Sequence, residues 1–169
     1  VGSAQERAAY EDLLRRYLPA LRRLAWSYAR EQSDDLLQEI ALGLWTALPR
    51  FRGDSSERTW LYRVAHNTAI SFMASSQRRA NREQAGEPPD MAAPAANPES
   101  TAIEEQRRAR LHAAVEELPL VDRQIVVLHL EGLSAAEIEA VTGLSAGNVA
   151  VRLTRARQKL AARVLGEAS

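Results

Sequence analysis

The sequence predicts an all-α protein: two small helical domains joined by a flexible Pro/Ala-rich linker. Three observations carry that prediction. Ala, Leu, Arg and Glu dominate, and alternating runs of β-branched residues are almost absent. Every aromatic residue falls between Tyr10 and Phe72. Between Gln84 and Ala102, Pro88, Pro89, Pro94 and Pro98 stand among Ala, Gly, Ser and acidic residues. Such a composition buries too little apolar surface to offset its ordering entropy. The expected division is an N-terminal domain at 5–80, a linker at 81–103 and a C-terminal domain at 104–165. A linker of about twenty residues spans roughly 25 Å as a coil and roughly 60 Å in polyproline form.

In the N-terminal module, Tyr10, Leu13, Leu14, Tyr17, Leu18, Leu21, Leu24 and Ala25 follow a 3.6-residue period, and Pro19 is expected to kink that helix or split it. Ser33 is expected to cap a second helix, with Asp34 and Asp35 favourable in its first turn. Its apolar set is Leu36, Leu37, Ile40, Ala41, Leu44, Trp45 and Leu48, and Pro49 ends it. Phe51 to Ser56 reads as a loop. A third helix from about Glu57 to Arg79 turns Leu61, Val64, Ala65, Thr68 and Phe72 inward.

In the C-terminal module, a helix from about Ile103 ends at Leu118-Pro119, and a second runs from about Val121 to Glu131, with Gly132 as its stop. Ser134 and Glu137 form a capping box for a short helix that ends at Thr142-Gly143. Ser145 caps the last helix. There Val149, Leu153, Ala156, Leu160 and Val164 make an apolar stripe, and Asn148, Arg152, Arg155 and Lys159 a polar one beside it. A short helix, a glycine turn and a basic helix form a helix-turn-helix arrangement, which lays its second helix in the major groove.

Composition excludes several classes of function. With no cysteine there is no disulfide, thiol nucleophile or Cys-ligated metal. His66, His112 and His129 are too dispersed for a compact metal motif, and no nucleophile–base pair or phosphate loop is present, so no cofactor and no enzymatic activity are expected. No apolar run approaches the ~20 residues of a membrane span, and no targeting leader is recognisable, so a cytoplasmic protein without membrane contact is expected. The formal charge is zero, yet the charges are segregated. Residues 58–82 hold Arg58, Arg63, Arg78, Arg79 and Arg82 without an acid; residues 140–166 hold Arg152, Arg155, Arg157, Lys159 and Arg163, again without one. Two polyanion-facing surfaces would produce that pattern. The first lies in the module that holds the aromatics. Stacking there gives roughly 1–3 kcal/mol per unpaired base, so this module suits single-stranded DNA and the other a duplex. Neither module is strongly basic overall, so the free protein is expected to bind DNA weakly.

These fragments resemble a known family, the sigma-70-type RNA polymerase sigma factors of the minimal, extracytoplasmic-function kind. Asp35-Leu36-Leu37-Gln38-Glu39-Ile40 with Trp45 resembles the family's region 2.2. Phe51-Arg52-Gly53, followed by Thr59-Trp60-Leu61-Tyr62-Arg63-Val64-Ala65-His66-Asn67, resembles regions 2.3 and 2.4. Leu118-Pro119, Arg123-Gln124-Ile125-Val126, Gly132-Leu133-Ser134, Glu137-Ile138, Gly143-Leu144-Ser145, Gly147-Asn148-Val149 and Arg152-Leu153-Thr154-Arg155-Ala156-Arg157 resemble region 4. One departure stands out: the short helix continues Glu137-Ile138-Glu139 where relatives usually carry alanine third, which bears on its packing against the next helix. In the stretch Ser71-Phe72-Met73, relatives often carry an acid and a base.

The resemblance implies roles residue by residue. Asp35, Gln38 and Glu39 would dock on the clamp coiled coil of the polymerase largest subunit, and region 4 on the flap of the second subunit. Gly53, Asp54, Ser55 and Ser56 would capture a flipped base of the −10 element, with Arg58, Trp60, Arg63, His66 and Asn67 along the strand. Asn148, Arg152, Arg155 and Lys159 would read the −35 element, with Arg157 on the far flank of the apolar stripe. Implied partners are core RNA polymerase, promoter DNA and, as in many relatives, an anti-sigma protein covering both modules. The alternative is an ordinary helix-turn-helix regulator whose N-terminal module dimerises or senses a ligand, which predicts a stable dimer and a palindromic operator.

Overall fold

The computed structural model describes residues 3–83 and 102–166 of the chain. Those residues form α1 (Ala4–Tyr28), α2 (Ser33–Ala47), α3 (Glu57–Glu83), α4 (Ala102–Glu116), α5 (Leu120–Leu130), α6 (Ala135–Thr142) and α7 (Ala146–Gly166), with no strand among them. The proline-rich heart of the expected linker, 84–101, lies outside the described residues. Its expected ends do not: α3 continues through Glu83, and α4 begins at Ala102.

Local sequence explains most of the boundaries. Ser3 and Glu6 close a capping box on α1: the Glu6 N–H donates to Ser3 Oγ at 3.2 Å, and the Ser3 N–H donates to Glu6 Oε2 at 2.6 Å. Pro19 does not split the helix. It sits on the exposed side of α1, where water can serve the carbonyl it leaves unpaired. Ser33 is not the cap the sequence predicts. A 3₁₀ turn at Arg30–Gln32 winds directly into α2, so Ser33 already has helical backbone (φ −62°, ψ −35°), whereas a capping residue needs an extended one. Pro49 lies in a single 3₁₀ turn, Leu48–Arg50, that closes α2.

The core of the N-terminal module is made by Leu13, Leu21 and Leu24 from α1, Leu36, Ile40 and Leu44 from α2, and Leu61, Ala65 and Ala69 from α3. Gly43 lets α2 and α3 meet closely, since a Cβ there would stand 2.8 Å from Thr68 Oγ1. In the C-terminal module Ile125, Leu128, Leu133, Ile138, Val149 and Ala156 are buried. The apolar stripe of α7 stops at Leu160; Val164, expected inside, is exposed. The two modules are packed together, α1 against α5 and α3 against α6, so their buried side chains form one continuous cluster. Full burial of each Leu or Ile contributes about 1.5–3 kcal/mol.

Candidate nucleic-acid interface

The turn between α6 and α7 is built to hold α7 at a fixed angle. Gly143 adopts a left-handed conformation (φ 77°), and its N–H donates to the Glu139 carbonyl at 2.8 Å. Ser145 caps α7, accepting the Asn148 N–H at 3.3 Å. Glu139 takes a second capping role: its Oε2 accepts the Ala146 N–H at 2.8 Å. The residue that departs from the family's usual alanine therefore ties α6 to the start of α7, where a carboxylate also suits the helix dipole.

With Val149, Leu153 and Ala156 buried, α7 turns Asn148, Val151, Thr154, Arg155 and Gln158 outward. Its basic residues fall into two groups. Arg152 donates to Asp122 Oδ1 at 2.7 Å and to Asn148 Oδ1 at 3.0 Å. Arg157 donates to His129 Nε2 at 2.6 Å, and Arg163 pairs with Glu117. Arg155 and Lys159 are exposed and have no ion pair or side-chain hydrogen bond to any described residue. Of the four residues expected to face a duplex, Arg155 and Lys159 have free charges and Arg152 is engaged within the module.

The other expected DNA surface, on α3, is differently placed. Gly53 (φ 78°) and Asp54 lie exposed in the preceding loop, and Ser56 Oγ accepts the Thr59 N–H at 3.1 Å, capping the helix. Arg58 does not face open solvent. Its Nη2 donates to the Gly132 carbonyl at 2.8 Å and lies 3.4 Å from Glu137 Oε2, both in the C-terminal module. Glu137 is held below the usual carboxylate range, chiefly by the Ser134 backbone N–H and further by Arg58. Trp60, only 7% exposed, lies against Phe51 with ring centroids 4.8 Å apart. His66 is 8% exposed, and its Nδ1 meets the Tyr28 hydroxyl. Burial lowers the His66 pKa and raises that of Tyr28, which favours the neutral form of both. Arg63 is half-buried; Asn67 is exposed and borders a groove of about 560 Å³ between α2 and α3. Leu42, Gly43, Arg50, Trp60 and Asn67 all border this groove. Arg50 is a cation at this groove that sequence reasoning did not single out.

On α2, Asp35, Gln38 and Glu39 are exposed at i, i+3 and i+4 and share one face, as the sequence predicts. They border a shallow cleft of about 220 Å³ with Gln32, Phe72 and Arg79.

A band of polar contacts crosses between the modules around Arg58. Glu131 takes both Arg23 Nε and Nη2, the latter at 2.9 Å, and lies 3.5 Å from the Tyr62 hydroxyl. Arg30 pairs with Glu116 at 2.5 Å, and the Trp26 ring meets His112 edge-on at 4.8 Å. Arg23 and Glu131 stand 108 residues apart, and no local pattern in the sequence connects them.

Comparison with known proteins bears on the whole arrangement. Residues 13–79 match the sigma-70 region 2 family, and residues 108–160 match sigma-70 region 4. The ECF RNA polymerase sigma-E factor of Escherichia coli K12 is 34% identical over 138 residues, spanning 75% of this chain and 70% of that protein. The RNA polymerase sigma-H factor of Pseudomonas aeruginosa is 31% identical over 146 residues, spanning 77% and 72%. Among solved structures, the sigma factor RpoE of Bartonella quintana, in complex with the anti-sigma factor NepR, matches with a TM-score of 0.75 at 23% identity, over 92% of this chain and 96% of that one. CnrH, in complex with the cytosolic domain of CnrY, matches at 0.64 and 28% identity, over 96% and 91%.

Proposed function

We propose a division of labour between the two modules of this chain, which belongs to the extracytoplasmic-function group of the sigma-70 family. As a sigma factor it binds core RNA polymerase and directs promoter recognition for the initiation of transcription, and it is not itself an enzyme. In the proposed division, the module at 104–165 sets register on duplex DNA, with Asn148, Arg152, Arg155 and Lys159 of α7 at the −35 element. Phosphate contacts position the helix and base-edge contacts specify the sequence. The module at 5–80 holds the opened −10 strand between the loop Gly53-Asp54-Ser55-Ser56 and the α3 residues Arg58, Trp60, Arg63, His66 and Asn67. Asp35, Gln38 and Glu39 dock on the polymerase clamp, and the linker at 81–103 lets the modules stand apart on the polymerase. The protein works in the cytoplasm.

Strand capture must offset an unstacking cost of a few kcal/mol per flipped base, so the surface that captures has to favour unpaired bases. The observation that carries the division is the contrast in surroundings: a groove between α2 and α3 bordered by Trp60, Arg50 and Asn67, and an outward face of α7 on which Arg155 and Lys159 are unpaired. In that scheme Arg58 reaches DNA after leaving Gly132 and Glu137, so polymerase must separate the modules as it binds them. An anti-sigma protein, the kind of partner present in the RpoE structure, would act by keeping both modules covered. Run-off transcription with core polymerase on promoter fragments tests the reading: the protein should confer promoter-specific initiation, and no gain over core alone would overturn it.

A further inference from the structure

Resting on the reading of α7 as the duplex-facing helix, we propose that Val151 is a specificity-determining residue that recognises the C5 methyl group of a thymine in the major groove. Val151 lies on the outward face of α7, opposite the buried line Val149, Leu153 and Ala156, and is 50% exposed. It stands three residues after Asn148 and four before Arg155, so all three share one face. A helix entering a groove reaches the floor with the side chains at the centre of its outward face. Here that centre is a branched hydrocarbon, bordered by Asn148, Thr154 and Arg155, and it stands exposed among the described residues.

Two further features fit a nucleic-acid occupant. One turn earlier stands Gly147, whose absent side chain opens onto free space: beyond its chain neighbours and its own helix's backbone, nothing described lies within 4 Å of the position a Cβ would take. The backbone can therefore approach the groove edge and carry Val151 to its floor. Arg155 and Lys159, both unpaired, supply the charge that draws this face onto phosphate. Thymine is the base that presents a methyl group in the major groove, and an apolar side chain is its usual partner. A valine in this position cannot hydrogen-bond a base edge, so its discrimination rests on that methyl group.

The test uses the full chain with core polymerase. Promoters with a randomised −35 element are selected by run-off transcription, and each thymine of the selected element is then replaced by deoxyuridine, which lacks only the methyl group. At one position the replacement should lower initiation by about fourfold, the worth of one buried methyl. Val151→Ala should lose sensitivity to deoxyuridine at that position while keeping its other preferences. If Arg155→Ala alters the selected sequence but no deoxyuridine effect depends on Val151, the helix reads DNA and this proposal is wrong. If neither variant changes the selected sequence, the reading of α7 fails with it. If Val151→Ala instead weakens assembly with core polymerase, the side chain serves a protein contact and the proposal is overturned.

Discussion

The two acid-free stretches of this chain carry the same number of cations and meet different fates. On α7, Arg155 and Lys159 project into solvent without an ion pair to any described residue, while Arg152, Arg157 and Arg163 are held by Asp122, His129 and Glu117. On α3, Arg58 is spent on Gly132 and Glu137 of the opposite module, and Trp60 and His66 are buried among neighbours of their own. The surface proposed to face a duplex thus keeps two free cations in the free protein, whereas the surface proposed to hold a strand has Arg58 tied across the seam. A basic residue is available to a polyanion only where the fold leaves it unpaired, and charge counted along a sequence overstates the exposed share.

The sharpest test of the contrast removes one of the two free cations of α7. Arg155→Ala should reduce discrimination between a cognate and a scrambled −35 element by about tenfold to a hundredfold, the worth of one bidentate base contact, in holoenzyme run-off assays. An unchanged ratio would show that α7 presents its charge to something else. Opening the closed side is the next test. Glu131→Gln combined with Glu137→Gln removes two pairs that cross between the modules, each worth about 0.5 kcal/mol. The separated form should gain about fivefold in population, read as a larger radius of gyration and tighter binding of a −10 oligonucleotide by the free protein. Equal compactness and equal affinity would mean that the apolar contacts alone hold the modules together.

Smaller effects sharpen the comparison within each module. Glu139→Ala removes the carboxylate that caps α7 at Ala146, and should cost about 1 kcal/mol, seen as a lower melting temperature without loss of helicity at 20 °C or so. On the α3 side, His66 is the probe. Burial places its folded-state pKa below the ordinary 6.5, so the unfolded chain takes up a proton first as the pH falls. The stability tied to a neutral His66 is present above about pH 6.5 and is lost as the pH falls through the lowered folded-state value. Melting temperatures compared at about pH 7.5 and about pH 5.5 should fall, and His66→Gln should flatten the difference. A slope identical in both proteins would assign the acid sensitivity to other groups.

Much of the architecture was legible from residue order. Periodicity located the helices, the Ser134–Glu137 box and Gly143 marked both ends of α6, and the i, i+3, i+4 spacing of Asp35, Gln38 and Glu39 placed them on one exposed face, because each of these signals is local. The misplaced features were also local in cause. Ser33 looked like a cap until a 3₁₀ turn used the position before it, and Pro19 looked like a break until its ring proved to lie on the exposed side of α1.

The seam between the modules was illegible. Arg23 with Glu131, Arg58 with Gly132, and Trp26 with His112 join residues far apart in the chain, and nothing in the neighbourhood of either partner announces the other. Residue order specified which side chains share a helix face, since backbone periodicity and caps act over a few residues. Packing decided which of them are free to do so, since pairing between charges depends on distances that exist only once distant helices meet.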